Sequence, residues 1–231
     1  MIIQIYAFTR VDEAIQAAAL GVDHIGFVAG DYGIVPGELS FHQAAEMASA
    51  LKGKAATSAL TMSTDVEEIL RMSNAVRPDI VHISTDPEAV GVEAMRVLRA
   101  RLPVGIRLMK AIHVSGEESI RLAQAFAPVS DLLLLDTKVP GMPGVGATGQ
   151  PHDWTLSRRI VESVPIPVIL AGGLSAANAA AAIQAVHPWG VDSNTHTNLT
   201  GDPVAKDLRR IGEFVRAVRQ MEASGQQVAP Q

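Results

Sequence analysis

Short apolar runs alternate with longer stretches of helical periodicity along this chain, and the alternation repeats eight times. The apolar runs predict strands near Ile2–Tyr6, Asp23–Val28, Ala55–Leu60, Ile80–Ser84, Gly105–Met109, Leu132–Asp136, Pro167–Ala171 and Gly190–Asp192. Helix starts are expected between them. Thr9 and Asp12, and likewise Thr64 and Glu67, have the spacing of a capping box. Asp86-Pro87 sets a cap residue before a proline suited to a first helical turn. Ser175 is expected to cap an alanine-rich helix, Ala176–Val186.

Strands that are apolar on both faces need cover on both sides, and a parallel sheet with helices between its strands supplies it. Eight such units in 231 residues predict one (β/α)8 TIM barrel over residues 1–222. A doubly wound open sheet is the alternative that the pattern alone leaves open. Residues 223–231 are polar and aperiodic and read as a frayed tail.

Composition narrows the function. There are no cysteines, which removes disulfides, thiolate metal sites and cysteine nucleophiles together. A net charge of -5 argues against nucleic acid or an anionic membrane as partner. The apolar start, Met1 to Phe8, has neither a basic segment before it nor a cleavage site after it, and Leu132–Leu135 is too short to span a bilayer. A cytoplasmic protein is expected. No two histidines share ligand spacing on one helix, so neither a metal nor a cofactor is expected.

In such barrels the reacting groups sit at the C-terminal ends of the strands. That rule singles out Asp136 as a carboxyl at a strand tip, with Tyr6, His82 and His113 as companions. Each has a structural alternative: an ion pair of Asp136 with Lys138, a plug for Tyr6, and hydrogen-bonded wall positions for the histidines. His152 and His196 read as loop residues. Gly172 and Gly173 lead into a helix, where the backbone can approach an anion, and Ser193, Asn194 and Thr195 add donors. Gly144, Gly146 and Gly149 match a dinucleotide fingerprint, but they follow the sixth strand rather than the first, so that reading is rejected.

Several segments in order carry a family likeness. They include Ile5-Tyr6-Ala7-Phe8-Thr9-Arg10, Leu133-Leu134-Leu135-Asp136-Thr137-Lys138, Gly146-Ala147-Thr148-Gly149-Gln150-Pro151-His152-Asp153-Trp154 and Leu170-Ala171-Gly172-Gly173-Leu174, with Gly190-Val191-Asp192 closing the series. Together they resemble the phosphoribosylanthranilate isomerase family up to about Arg219. The resemblance implies an aldose–ketose isomerase acting on a phosphorylated sugar, by an Amadori rearrangement. A general acid protonates the furanose ring oxygen and a general base takes the proton from C2. The acid position falls on Asp136. The resemblance also assigns the Thr137–His152 segment to a mobile loop over the site.

The sequence departs from the family pattern at defined places. The family's base is the cysteine of a Lys-Ile-Cys-Gly motif; those positions here are Gln4, Ile5, Tyr6 and Ala7. Ionising a phenol at pH 7 costs about 4 kcal/mol against about 2 for a thiol. The arginine that holds the anthranilate carboxylate is replaced by Gly37, beside Glu38, which would repel an aromatic acid. The base therefore falls to Tyr6 or His82. The expectation is an isomerase of a phosphorylated sugar that lacks the anthranilate carboxylate, with phosphoribosylanthranilate turnover through an unfamiliar base left open. A non-catalytic, phosphometabolite-binding descendant is the alternative, and a homodimer is left open as a partner.

Overall fold

The structure, a computed structural model, describes residues 1–137 and 153–226. Among these residues nine parallel strands form one sheet that closes on itself. They are β1 (Ile2–Ile5), β2 (His24–Ala29), β3 (Glu38–Leu39), β4 (Ala56–Thr61), β5 (Ile80–Ile83), β6 (Arg107–His113), β7 (Leu132–Asp136), β8 (Val168–Leu170) and β9 (Gly190–Ser193). Their order is β1-β9-β8-β7-β6-β5-β4-β2-β3, and β1 also pairs with β2 through Gln4↔His24 and Ile5↔Ile25. That closure decides for the eight-stranded barrel over the open sheet. The two-residue β3 lies outside the ring, extending β2 where Val28 meets Glu38.

Among the described residues eight α-helices cover the barrel: α1 (Val11–Ala19), α2 (Phe41–Leu51), α3 (Val66–Val76), α4 (Val92–Arg101), α5 (Glu117–Phe126), α6 (Trp154–Ser163), α7 (Ala179–Val186) and α8 (Leu208–Gln226). Strand residues alternate between two destinations. Ile3, Ile5, Phe27, Ile83, Leu135 and Val191 turn outward and pack with Met47, Ile69, Leu98 and Phe214 of the helices. Each such side chain contributes about 1.5–3 kcal/mol by leaving water. Ile80, Met109, Leu132, Leu134, Ile169 and Ala171 turn inward and fill one side of the barrel. The other side is polar. Gln4 Nε2 donates to Asp192 Oδ1 (3.1 Å), and the Gln4 amide oxygen meets His24 Nδ1 (3.3 Å).

Helix starts differ from expectation where a nearer side chain wins. Arg10 precedes α1 with no side-chain cap, so the Thr9–Asp12 box does not form. Asp65 rather than Thr64 caps α3, accepting from Glu67 N at 2.9 Å. Residues 87–90 make a turn, and α4 begins only at Val92. The segment after Ser175 first turns around Asn178, whose Oδ1 accepts from Ser175 N (2.8 Å), and α7 begins at Ala179. A full capping box forms instead at Ser40 and Gln43, unforeseen although Ser-x-x-Gln is its signature. At the end of the chain α8 runs to Gln226, so residues 223–226 continue the helix rather than start a tail; 227–231 lie outside the described residues. Arg219 clasps this helix to the first strands, donating to Met1 O (2.7 Å) and Asp23 Oδ2 (2.8 Å).

Candidate active site

The C-terminal ends of the strands surround a cavity of about 840 Å³. Its apolar wall comes from Val28, Val35, Pro36, Leu60 and Met62, and its polar wall from Tyr6, His82, Asp136, Asp192, Asn194 and Thr195. Inward alternation along β1, β5, β7 and β9 explains why these residues converge.

Tyr6 lies across the barrel as a floor to this cavity. Its ring passes over Gly26, where a Cβ would come within 2.5 Å of three ring atoms. Its hydroxyl sits 2.5 Å from Ser58 Oγ and 2.9 Å from His82 Nδ1. Burial pushes the phenol well above its ordinary value; the Ser58 hydrogen bond opposes this, and the Asp192 charge adds to it. His82 is 3% exposed, and burial, with the Lys110 charge, lowers it to about 3. It is therefore neutral. With Nδ1 facing the phenol, Nε2 is buried and finds no partner among the described residues. A phenol so hard to ionise and an imidazole so weakly basic are both poor proton acceptors.

Asp136 ends β7 with 9% exposure. Burial raises its carboxyl to about 7, against a hydrogen bond of 2.7 Å from Thr137 N that favours the anion. A carboxyl raised this far can hold its proton near neutral pH, the condition a general acid needs. Asp192, 6% exposed, is raised by burial first and by the Asp136 charge second, while Gln4 and Lys206 act the other way. The strand-tip rule that found Asp136 applies equally to Asp192, which the sequence reading took only as the end of a motif.

The expected anion site is divided. Asn194 and Thr195 line the cavity, whereas Gly172, Gly173 and Ser193 are not among its lining residues. Gly172 (φ 84°) and Gly173 (φ 64°) occupy the left-handed region, and Gly173 O accepts from Asn178 Nδ2 at 3.0 Å. Ser193 Oγ donates to Leu174 O (2.7 Å), which ties the β8 and β9 ends together.

Lys206 was unforeseen because its lysine gives no sign in the sequence of being buried. Its ammonium donates to Tyr6 O, to Asn194 Oδ1 (3.0 Å) and to Asn198 Oδ1 (2.5 Å), and burial lowers it to about 7. Arg210 brings a guanidinium to the rim, donating to Asn198 O (2.7 Å) and Thr200 Oγ1 (2.6 Å).

Glu38 has a different task from repelling substrate. Its carboxylate accepts four backbone N–H groups, from Tyr32, Gly33, Ile34 and Val35, at 2.6–2.8 Å. Partial burial opposes its ionisation, but these bonds prevail and hold it below the usual range. Gly37 (φ 78°) packs so closely that a Cβ would meet Val204 at 2.8 Å, which leaves no room for an arginine. His113 and His196 are absent from the cavity lining. His152 and the glycine-rich stretch 144–149 lie outside the described residues. Among the described residues no group of three or more histidines and carboxylates could hold a metal, and no helix is long and apolar enough to cross a membrane.

Comparison with known proteins agrees with this geometry. Residues 3–217 match the family model of N-(5'-phosphoribosyl)anthranilate isomerase. The N-(5'-phosphoribosyl)anthranilate isomerase of Methanocella arvoryzae is 34% identical over 219 residues, covering 94% of this chain and 97% of the relative. A second such isomerase, from Methanosarcina mazei, is 32% identical over 95% of this chain and 94% of its own. The solved phosphoribosyl anthranilate isomerase of Thermotoga maritima shares the fold with a TM-score of 0.77 at 24% identity, covering 95% of this chain and 100% of that one. A further structure of such an isomerase, in complex with reduced 1-(o-carboxyphenylamino)-1-deoxyribulose 5-phosphate, gives a TM-score of 0.76 at 22% identity, covering 95% of this chain and 100% of that one. A barrel closed on a cavity with a desolvated carboxyl at the tip of β7, matched over nearly all its length, belongs to the N-(5'-phosphoribosyl)anthranilate isomerase family.

Proposed function

We propose that the protein isomerises an N-substituted 5-phosphoribosylamine to the corresponding aminoketose phosphate, with Asp136 as the general acid. The carrying observation is the Asp136 carboxyl itself: buried at the cavity wall and raised to about 7, it can deliver a proton to a furanose ring oxygen at neutral pH. The apolar wall of Val28, Val35, Pro36, Leu60 and Met62 suits an aromatic substituent, and Arg210 places a positive charge at the rim for an anionic one. Asn194 and Thr195 are the donors nearest a phosphate, with Gly172, Gly173 and Ser193 shaping the backbone behind them. His82 is better cast as a neutral Nε2–H donor than as a base, and Tyr6 as the group that fixes its tautomer.

The loss of ordinary turnover expected from the missing cysteine and arginine gains no support from relatives named for that reaction at 34% and 32% identity. A non-catalytic binding protein would leave the desolvated carboxyl at 136 without a use. The fold neighbour's complex supports a phosphorylated ligand. A homodimer belongs to the proposal too, since one Thermotoga maritima neighbour is described as dimeric. Light scattering that gives the chain mass of 24.4 kDa would set the dimer aside.

The test is turnover of N-(5'-phosphoribosyl)anthranilate by purified protein, together with analogues lacking the carboxylate. Asp136→Asn is expected to lower kcat by about 10²–10⁴. Full activity in that variant would remove the acid assignment.

A further inference from the structure

We infer that the general base missing from β1 is Asp192, and that Asp136 and Asp192 work as a carboxyl pair sharing one proton. This rests on the isomerase reading above and deepens it. The placement follows from strand register. Leu135 pairs with Leu170, and Leu170 pairs with Val191, so the next residues on β7, β8 and β9 are Asp136, Ala171 and Asp192, level with one another. Ala171 belongs to the inward cluster, and both aspartates line the cavity. The two carboxyls therefore face the same space from either side of a methyl group, two strand spacings or about 10 Å apart at the backbone. In a furanosylamine the ring oxygen and C2 are both bonded to C1 and flank it. Two carboxyls approaching from opposite sides can reach one each.

Within the pair, the contacts differ. Asp192 accepts from Gln4 Nε2 and feels the Lys206 ammonium, which favour its anion against a burial that raises its carboxyl to about 8, whereas Asp136, raised to about 7, has the single Thr137 N–H. Tyr6 just past β1, His24 on β2 (on the far side of Gln4) and His82 on β5 are neutral. While Asp136 holds the proton, its charge does not oppose ionisation of Asp192.

The step balances without an outside reagent. Asp136 gives its proton to the ring oxygen as the C1–O bond breaks and the nitrogen lone pair forms C1=N. Asp192 then takes the proton from C2; that electron pair forms C1=C2, and the C=N pair returns to nitrogen. Asp192 next protonates C1 while the C2 hydroxyl yields its proton to Asp136, leaving the ketone and restoring the starting pair.

The position that the family fills with a lysine is Gln4 here, directly paired with Asp192. An ammonium there would hold Asp192 ionised. The glutamine instead leaves it titrating together with its partner.

The experiment compares wild type, Asp192→Asn and Gln4→Lys, using N-(5'-phosphoribosyl)anthranilate and its C2-deuterated form. Asparagine keeps an oxygen for Gln4 but cannot accept a proton. The expected result for Asp192→Asn is a kcat lower by about 10³-fold and the loss of the acidic limb of the pH profile. Its affinity for the reduced aminoketose phosphate should stay within several-fold of wild type. Gln4→Lys should move that acidic limb to lower pH, a shift that a purely structural role would not produce. An active Asp192→Asn with an unchanged pH profile and isotope effect would overturn the inference while leaving the isomerase reading intact. A folded wild type that turns over none of the aminoaldose phosphates would bring down both.

Discussion

Replacing Asp136 by asparagine keeps the Thr137 N–H bond but removes the only proton that residue can give. The tyrosine at position 6 calls for a different outcome. Tyr6→Phe takes away the hydroxyl between Ser58 and His82 but leaves the ring over Gly26. A stability loss of about 1–2 kcal/mol is expected, because two buried polar groups lose a partner. The kcat should fall by less than about tenfold, against the 10²–10⁴ expected for loss of a general base. Denaturant titration and steady-state kinetics on the same preparation check both. A fall in kcat as large as that of Asp136→Asn would restore Tyr6 as the base. Gly37→Arg, which puts back the family's guanidinium in sequence, should fail in structure. Positive φ and the Val204 contact are expected to cost about 1–3 kcal/mol, with no gain in KM for a carboxylated substrate.

Among the elements, the segment between β2 and α2 shows how one side chain can shape a loop. Four N–H groups of residues 32–35 converge on the Glu38 carboxylate, and that hold sets Val35 and Pro36 against the cavity. Glu38→Ala leaves those donors to water. The expected change is a loss of about 1–2 kcal/mol, kept modest by solvent access, with faster proteolysis between residues 31 and 37 and a raised KM at nearly constant kcat. An unchanged KM would show that the cavity wall stands without this anchor. Elements were legible in the sequence where burial is two-sided. The strand Leu132–Asp136 was read to the residue, while β6 runs four residues past its expected end because Lys110 and His113 interrupt an apolar pattern that tertiary packing continues. Helix starts at Thr64 and Ser175 were misread because several nearby side chains can cap, and only the approach of the chain selects one.

Across the whole molecule, buried ionisable groups make stability depend on pH in two opposing ways. Asp136 titrates higher in the folded state than in the unfolded one, near 3.9. Its neutral form favours folding below about pH 4, and that contribution is lost as pH rises toward about 7. His82 and His24 are depressed to about 3 and about 4, so what they contribute is present above about 6.5 and is lost as pH falls through those values. Asp136→Asn should melt higher than wild type at pH 8, and by less at pH 4.5. Thermal melts across that range test the point, and a gap independent of pH would show that the carboxyl is not desolvated.

By itself the sequence determined the eight strand-and-helix units, the family and the place of a carboxyl at a strand tip, because each is written in local order: eight apolar runs, a string of matched segments, and an acid at the end of one run. Asp192 stood in the same position on its own strand, yet nothing along the chain set it opposite Asp136. Closing the sheet did that, by bringing residues 56 apart onto one level of the barrel wall. The same closure laid the Tyr6 ring across Gly26 and buried the Lys206 ammonium beneath the rim. These are long-range consequences of a circular sheet, in which whether a polar group is reactive or merely structural depends on what faces it from another strand.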